Sequence, residues 1–154
     1  MKGLAACALS ALLLVGCGEQ APKASVAPVA PQPVTSTAPD HCGGEAKPGV
    51  IDAYFQRLAA HLAANREAVP MDFYGETFRI HDSDGGLAFP RAEMRPGARA
   101  LPSAQDWREI SRRGASALND AGWRGCFLAH GKVWFETDGE AVGLIAFDKT
   151  MPWD

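Results

Sequence analysis

A chain of 154 residues suffices for one folded domain, and a formal charge of −3 with 21 % charged residues makes it mildly acidic. That balance disfavours non-specific attachment to nucleic acid or to anionic lipid headgroups, so neither is expected as a partner through charge alone. The hydrophobic fraction of 47 % is raised by residues 1–16, which are almost wholly apolar.

Lys2 is followed by an apolar run from Leu4 that closes in Leu14, Val15, Gly16 and Cys17. One basic residue, an apolar core and small residues before a cysteine form the layout of a cleavable secretory segment. The run is shorter than the roughly 20 residues a spanning helix needs. On these residues the N-terminus resembles the signal peptides of bacterial lipoproteins. The resemblance implies that residues 1–16 are removed and that Cys17 carries diacylglyceryl and palmitate-type chains, which makes the lipid bilayer a partner. More than one acyl chain holds far better than the single chain that binds marginally. In that family an Asp after the cysteine favours the inner membrane; Gly18 stands there, which implies the outer membrane, with the protein facing the periplasm.

Residues 17–41 change to Ala, Pro, Val, Ser, Thr and Gln, with prolines at 22, 28, 31, 33 and 39. Without apolar periodicity this segment reads as a tether. In polyproline II geometry, at about 3.1 Å per residue, it reaches roughly 70 Å. The folded domain is expected at 42–154.

Apolar side chains at Ile51, Phe55, Leu58 and Leu62 mark one face of a helix expected at Val50 to Asn65. Phe73 to Ile80 reads as a strand, and Asp82 to Gly86 as a turn. Leu87 to Leu101 reads as an irregular loop with room for a short strand. Ser103 and Asp106 form a capping box that opens a second helix, expected to run from Ala104 to Asn119 through Gly114. Cys126 to Ala129 and Lys132 to Thr137 flank His130 and Gly131, a loop requiring positive φ at both positions. This register sets Leu128 against Val133, Cys126 against Phe135, and Phe127 against Trp134 on the opposite face. Asp138 and Gly139 then turn the chain into Ala141 to Phe147. The expected fold is α+β, with two helices packed on an antiparallel sheet that ends in a three-stranded meander. The element order and the Gly-Lys-Val-Trp-Phe run at 131 to 135 resemble the NTF2-like class, which implies a curved sheet around a cone-shaped cavity.

No nucleophilic elbow and no phosphate-cradling glycine loop is present. His61, His81, Tyr54, Asp106 and Asp52 are acid–base candidates without a linking spacing. His41, Cys42, Cys126 and His130 are the donor types of a Cys2His2 zinc site. The hairpin turn claims His130, however, and a disulfide claims the two cysteines. Asp82, Asp84 and Glu93 match calcium-loop positions, but Gly86 and Leu87 break that pattern, so a plain turn is expected. No metal or cofactor is therefore expected. Tyr54, Phe78, Trp107, Trp123 and Trp134 are the residues that would floor a ligand pocket, although such aromatics are more commonly core. Once Cys7 leaves with the signal and Cys17 is acylated, Cys42 and Cys126 remain as a pair for a disulfide. In the chain-entropy model a bridge over that span is worth about 4–5 kcal/mol. The functional expectation is a membrane-anchored cell-envelope lipoprotein that presents a non-catalytic domain to a protein or small-molecule ligand. The alternatives are an NTF2-like cavity enzyme with an Asp, His or Tyr general base and a periplasmic hydrolase inhibitor.

Overall fold

The computed structural model describes residues 38–39, 41–64, 66 and 68–153; the signal segment, Cys17 and most of the tether lie outside the described residues. Helix α1, Val50–Ala63, follows Gly49, whose φ of 81° turns the chain into the first turn. It buries Ile51, Tyr54, Phe55 and Leu58, the one-sided spacing of an amphipathic helix. Strand β1, Tyr74–Asp82, and strand β2, Gly85–Pro90, form a hairpin with Asp82 opposite Gly85. The stretch expected to be mostly loop thus begins with a strand.

Helix α2, Ala104–Arg113, carries the expected capping box: the Asp106 amide donates to Ser103 Oγ at 3.2 Å and the Ser103 amide to Asp106 Oδ2 at 2.9 Å. It does not continue to Asn119. Gly114 adopts φ 70° and ψ −177°, which ends the helix there, and glycine makes that geometry cheap.

Strands β3 (Asn119–Asp120), β4 (Cys126–Leu128), β5 (Val133–Thr137) and β6 (Val142–Asp148) form an antiparallel meander, one short strand more than expected. The register of β4 on β5 is the expected one, with His130 and Gly131 at φ 52° and 98°. Ala129 is also left-handed, at φ 48°, so the reversal takes up one residue more on each side.

The six strands form one sheet in the order β2-β1-β6-β5-β4-β3. The fold is α+β, but the sheet is mixed, because β1 and β6 pair in parallel. Antiparallel neighbours can be joined by tight turns, whereas parallel ones need a crossover. The connection that carries α2 between the hairpin and the meander provides that crossover. Phe78, Ile80, Val133, Phe135, Leu144 and Phe147 point to the inner face and pack with the buried residues of both helices in one core.

The C-terminal segment closes one end of this core. Trp153 donates its indole N–H to Asp106 Oδ1 at 2.9 Å and stands between two cations, Arg113 Cζ 5.3 Å and Lys132 Nζ 5.2 Å from its ring centre. Lys132, only 4 % exposed, also donates to the carbonyls of Asp148 and Met151. Its burial lowers the ammonium pKa, opposed by the charges of Asp106 and Asp148.

Several carboxyls titrate below their ordinary values. For Asp106 and Asp148 partial burial acts upward, but hydrogen bonds from Ser103 and Trp153, and from Thr150, outweigh it. The amides of Ala141 and Glu140 lower Asp138, and the grip of Arg112, helped by Arg113, brings Glu109 to about 2. A carboxylate depressed by folding binds fewer protons in the native than in the unfolded chain, so its contribution is present at neutral pH and lost as pH falls. Urea midpoints should therefore hold level from about pH 7 to 5 and fall progressively from about pH 4 toward 2. A midpoint that rises on acidification would contradict this.

Candidate functional site

The five aromatic residues expected to floor a pocket do not meet. Tyr54 and Phe78 are 0 % exposed and Trp107 is 1 % exposed. The Tyr54 hydroxyl donates to the Phe73 carbonyl at 2.9 Å, and its ring packs edge-on against Phe55, Phe73 and Phe135. Trp107 packs in the same way on Tyr74 and Phe73. These three are core, and with Phe55 and Phe135 they occupy the inner face of the sheet, where a cavity would have to lie. Trp123 and Trp134 stand apart from them, on the outer face.

The acid–base candidates are also dispersed. A ring nitrogen of His61 lies 3.1 Å from the Ala68 carbonyl, Asp106 is engaged by Ser103 and Trp153, Asp52 sits in the first turn of α1, and His81 points outward from β1. Among the described residues no three of His, Cys, Asp or Glu gather as a metal-holding group. His130 occupies the hairpin tip. The Asp84 amide donates to Asp82 Oδ1 at 3.0 Å, which closes the plain turn, and Glu93 lies beyond the other end of β2.

The outer face is organised by cross-strand register. Arg79 lies opposite Ala88 on one side and Ala146 on the other; Ala146 lies opposite Trp134, and Trp134 opposite Phe127. At 4.7–4.9 Å between strands, this row of five residues extends roughly 20 Å. Its centre alternates tall, short and tall: Ala146 forms a floor between the guanidinium of Arg79 and the indole of Trp134. Two shallow depressions of about 460 and 480 Å³ share this trio. The first adds His81, Leu87 and Asp148, and the second adds Trp123, Arg124, Glu136 and Ile145.

Trp134 is held in place. Its indole N–H donates to the Gly131 carbonyl at 2.8 Å, and its ring leans on Phe127 at 5.2 Å between centres and 38° between planes. Trp123, in the turn Gly122–Arg124, is 86 % exposed. Arg79, Arg124 and Glu136 take part in none of the ion pairs among the described residues. Sequence reasoning paired Phe127 with Trp134 on the sheet face opposite Cys126 and Phe135 but did not single out Arg79, Arg124 or Ala146. The alternation of Arg79 and His81 with Phe78 and Ile80 was the available signal for one of them.

The two cysteines of the domain are close neighbours. Both are 0 % exposed thiols. Cys42 Sγ donates to the Phe135 carbonyl at 3.5 Å, and Phe135 is the ladder partner of Cys126. Cys126 Sγ in turn donates to the carbonyl of His41, the residue before Cys42, at 2.9 Å. Hydrogen bonding with the Cys126 side chain, then burial, pushes the Cys42 thiol far above its ordinary range. The chain matches no family model, no curated protein and no solved structure.

Proposed function

We propose that this protein is a cell-envelope lipoprotein, anchored through Cys17, whose domain is a non-catalytic recognition module with its binding surface on the outer face of the sheet. The observation that carries this reading is the aromatic and cationic row Arg79–Ala146–Trp134–Phe127, extended by Trp123 and Arg124. A sheet with one face packed on a core ordinarily presents polar residues on the other. An exposed Trp123 and the half-buried Trp134 and Phe127, set beside arginines, are instead the composition of binding centres. An indole already held by a hydrogen bond loses little conformational freedom when a ligand lies on it.

The occupant is an acidic saccharide. A sugar ring offers a flat C–H face to an indole, while its rim carries hydroxyls for Glu136 and a carboxylate for Arg79 or Arg124, whose planar guanidinium suits carboxylate recognition. The open, shallow form of both depressions suits a chain lying across the sheet, and a tether of roughly 70 Å would let the domain reach wall or surface glycans away from the bilayer.

Tryptophan fluorescence titrations with a short uronic-acid oligomer, and with an uncharged N-acetylglucosamine oligomer for comparison, test this. The acidic oligomer should bind more tightly, and Trp134→Ala and Arg79→Ala should each weaken it at least about tenfold, or 1.4 kcal/mol. Unchanged affinity in both variants would overturn the surface. Absence of binding by either oligomer, with a photocrosslinker at position 123 capturing one discrete protein, would replace the saccharide by a protein partner.

A further inference from the structure

Cys42 lies at the start of the domain and Cys126 at the start of β4, and Gly43, the residue after Cys42, contacts the turn that carries Trp123 and Arg124. The Gly43 amide donates to the Gly122 carbonyl at 3.1 Å, the Gly125 amide to the same carbonyl at 3.1 Å, and the Thr137 amide to the Cys42 carbonyl at 2.8 Å. Gly43 and Gly125 pack backbone to backbone: a β-carbon on Gly43 would lie 3.3 Å from Gly125 Cα. The segment after the tether is therefore the wall against which the 122–125 turn is built.

We infer that Cys42 and Cys126 are joined as a disulfide in the working protein, and that this bridge fixes the 122–125 turn and the residues it displays. Each thiol rests on a backbone carbonyl next to the other cysteine, Cys42 on that of the ladder partner of Cys126 and Cys126 on that of the residue before Cys42. In the reaction each sulfur gives up its proton, one S–S bond forms, and the two electrons reduce an incoming small-molecule or protein disulfide, which leaves as two thiols. Both sulfurs are closed to solvent in the folded domain, so the exchange takes place during folding or on transient opening. Preorganising Trp123 and Arg124 in this way matters for ligand only if the surface proposed above is the binding surface; the bridge and its hold on the turn are tested without ligand.

The full chain purified without reductant is denatured and alkylated before and after reduction, and its intact mass is compared. Cys42 and Cys126 should resist alkylation until reduced. Two freely alkylated cysteines at these positions would overturn the bridge. Native protein, oxidised and reduced, is then digested briefly with trypsin. Cleavage after Arg124 should accelerate at least tenfold on reduction, while cleavage after Arg99, in the exposed loop ahead of α2, should keep its rate. An unchanged rate at Arg124 would overturn the hold on the turn. Equal acceleration at both sites would do so too, because the bridge would then support the whole domain rather than the turn. Failure of the saccharide titration with these results intact would count against the binding surface alone.

Discussion

Replacing Gly143 by alanine is expected to destabilise the domain by about 3 kcal/mol or more, the upper end of overpacking costs. The added methyl would lie 2.5 Å from Gly75 N, 2.6 Å from Gly75 Cα and 2.9 Å from the Tyr74 carbonyl carbon. All three are backbone atoms, so no side chain can rotate aside; β1 and β6 must part where their register slips between Tyr74 and Arg79. A control separates this from the loss of a glycine as such. Gly49 has φ 81° and nothing within 4 Å of a β-carbon, so Gly49→Ala should cost only the left-handed conformation, about 1 kcal/mol. Urea unfolding of the two variants decides the matter, and a Gly143→Ala midpoint no lower than that of Gly49→Ala would refute the close crossing.

The second large effect comes from making one substitution at two tryptophans. Trp107, 1 % exposed and wedged between Phe73 and Tyr74, should lose about 3–5 kcal/mol as Trp107→Ala, from lost transfer energy and the cavity left behind. Trp123, 86 % exposed, should stay within about 0.5 kcal/mol of the parent as Trp123→Ala. The variants should differ in the opposite sense in binding, with Trp123→Ala losing the acidic oligomer and keeping its unfolding midpoint. A Trp123→Ala variant that unfolds as readily as Trp107→Ala would show that Trp123 supports the core.

The contrast between these tryptophans marks the limit of what local pattern conveys. Trp107 lies on a helix face shared with Ile110, so its burial follows from periodicity. Trp134 alternates with Val133 and Phe135, which assigns it to the far side of its strand. Trp123 occupies a glycine-flanked turn with no period, and its exposure follows only from where the 122–125 turn lands.

Local interactions explain why so much of the fold was legible. Tyr54, Phe55 and Leu58 repeat at helical spacing, Ser103 and Asp106 satisfy each other across one turn, and His130-Gly131 sets the register of β4 on β5. Each is settled within a few residues of sequence, and the sequence by itself determined the presence and start of both helices, the hairpin register and the α+β class. The end of α2 was decided by Gly114, whose helical and positive-φ conformations differ too little in energy for sequence to choose between them. Tertiary structure alone decided the parallel pairing of β1 with β6, because it depends on how the crossover returns the meander to the first hairpin. That pairing brings Arg79 beside Ala146 and Trp134 from positions more than fifty residues away, and it sets Gly75 against Gly143. No periodicity within a strand encodes which strand will lie next to it, so the outer surface became visible only once the sheet was assembled.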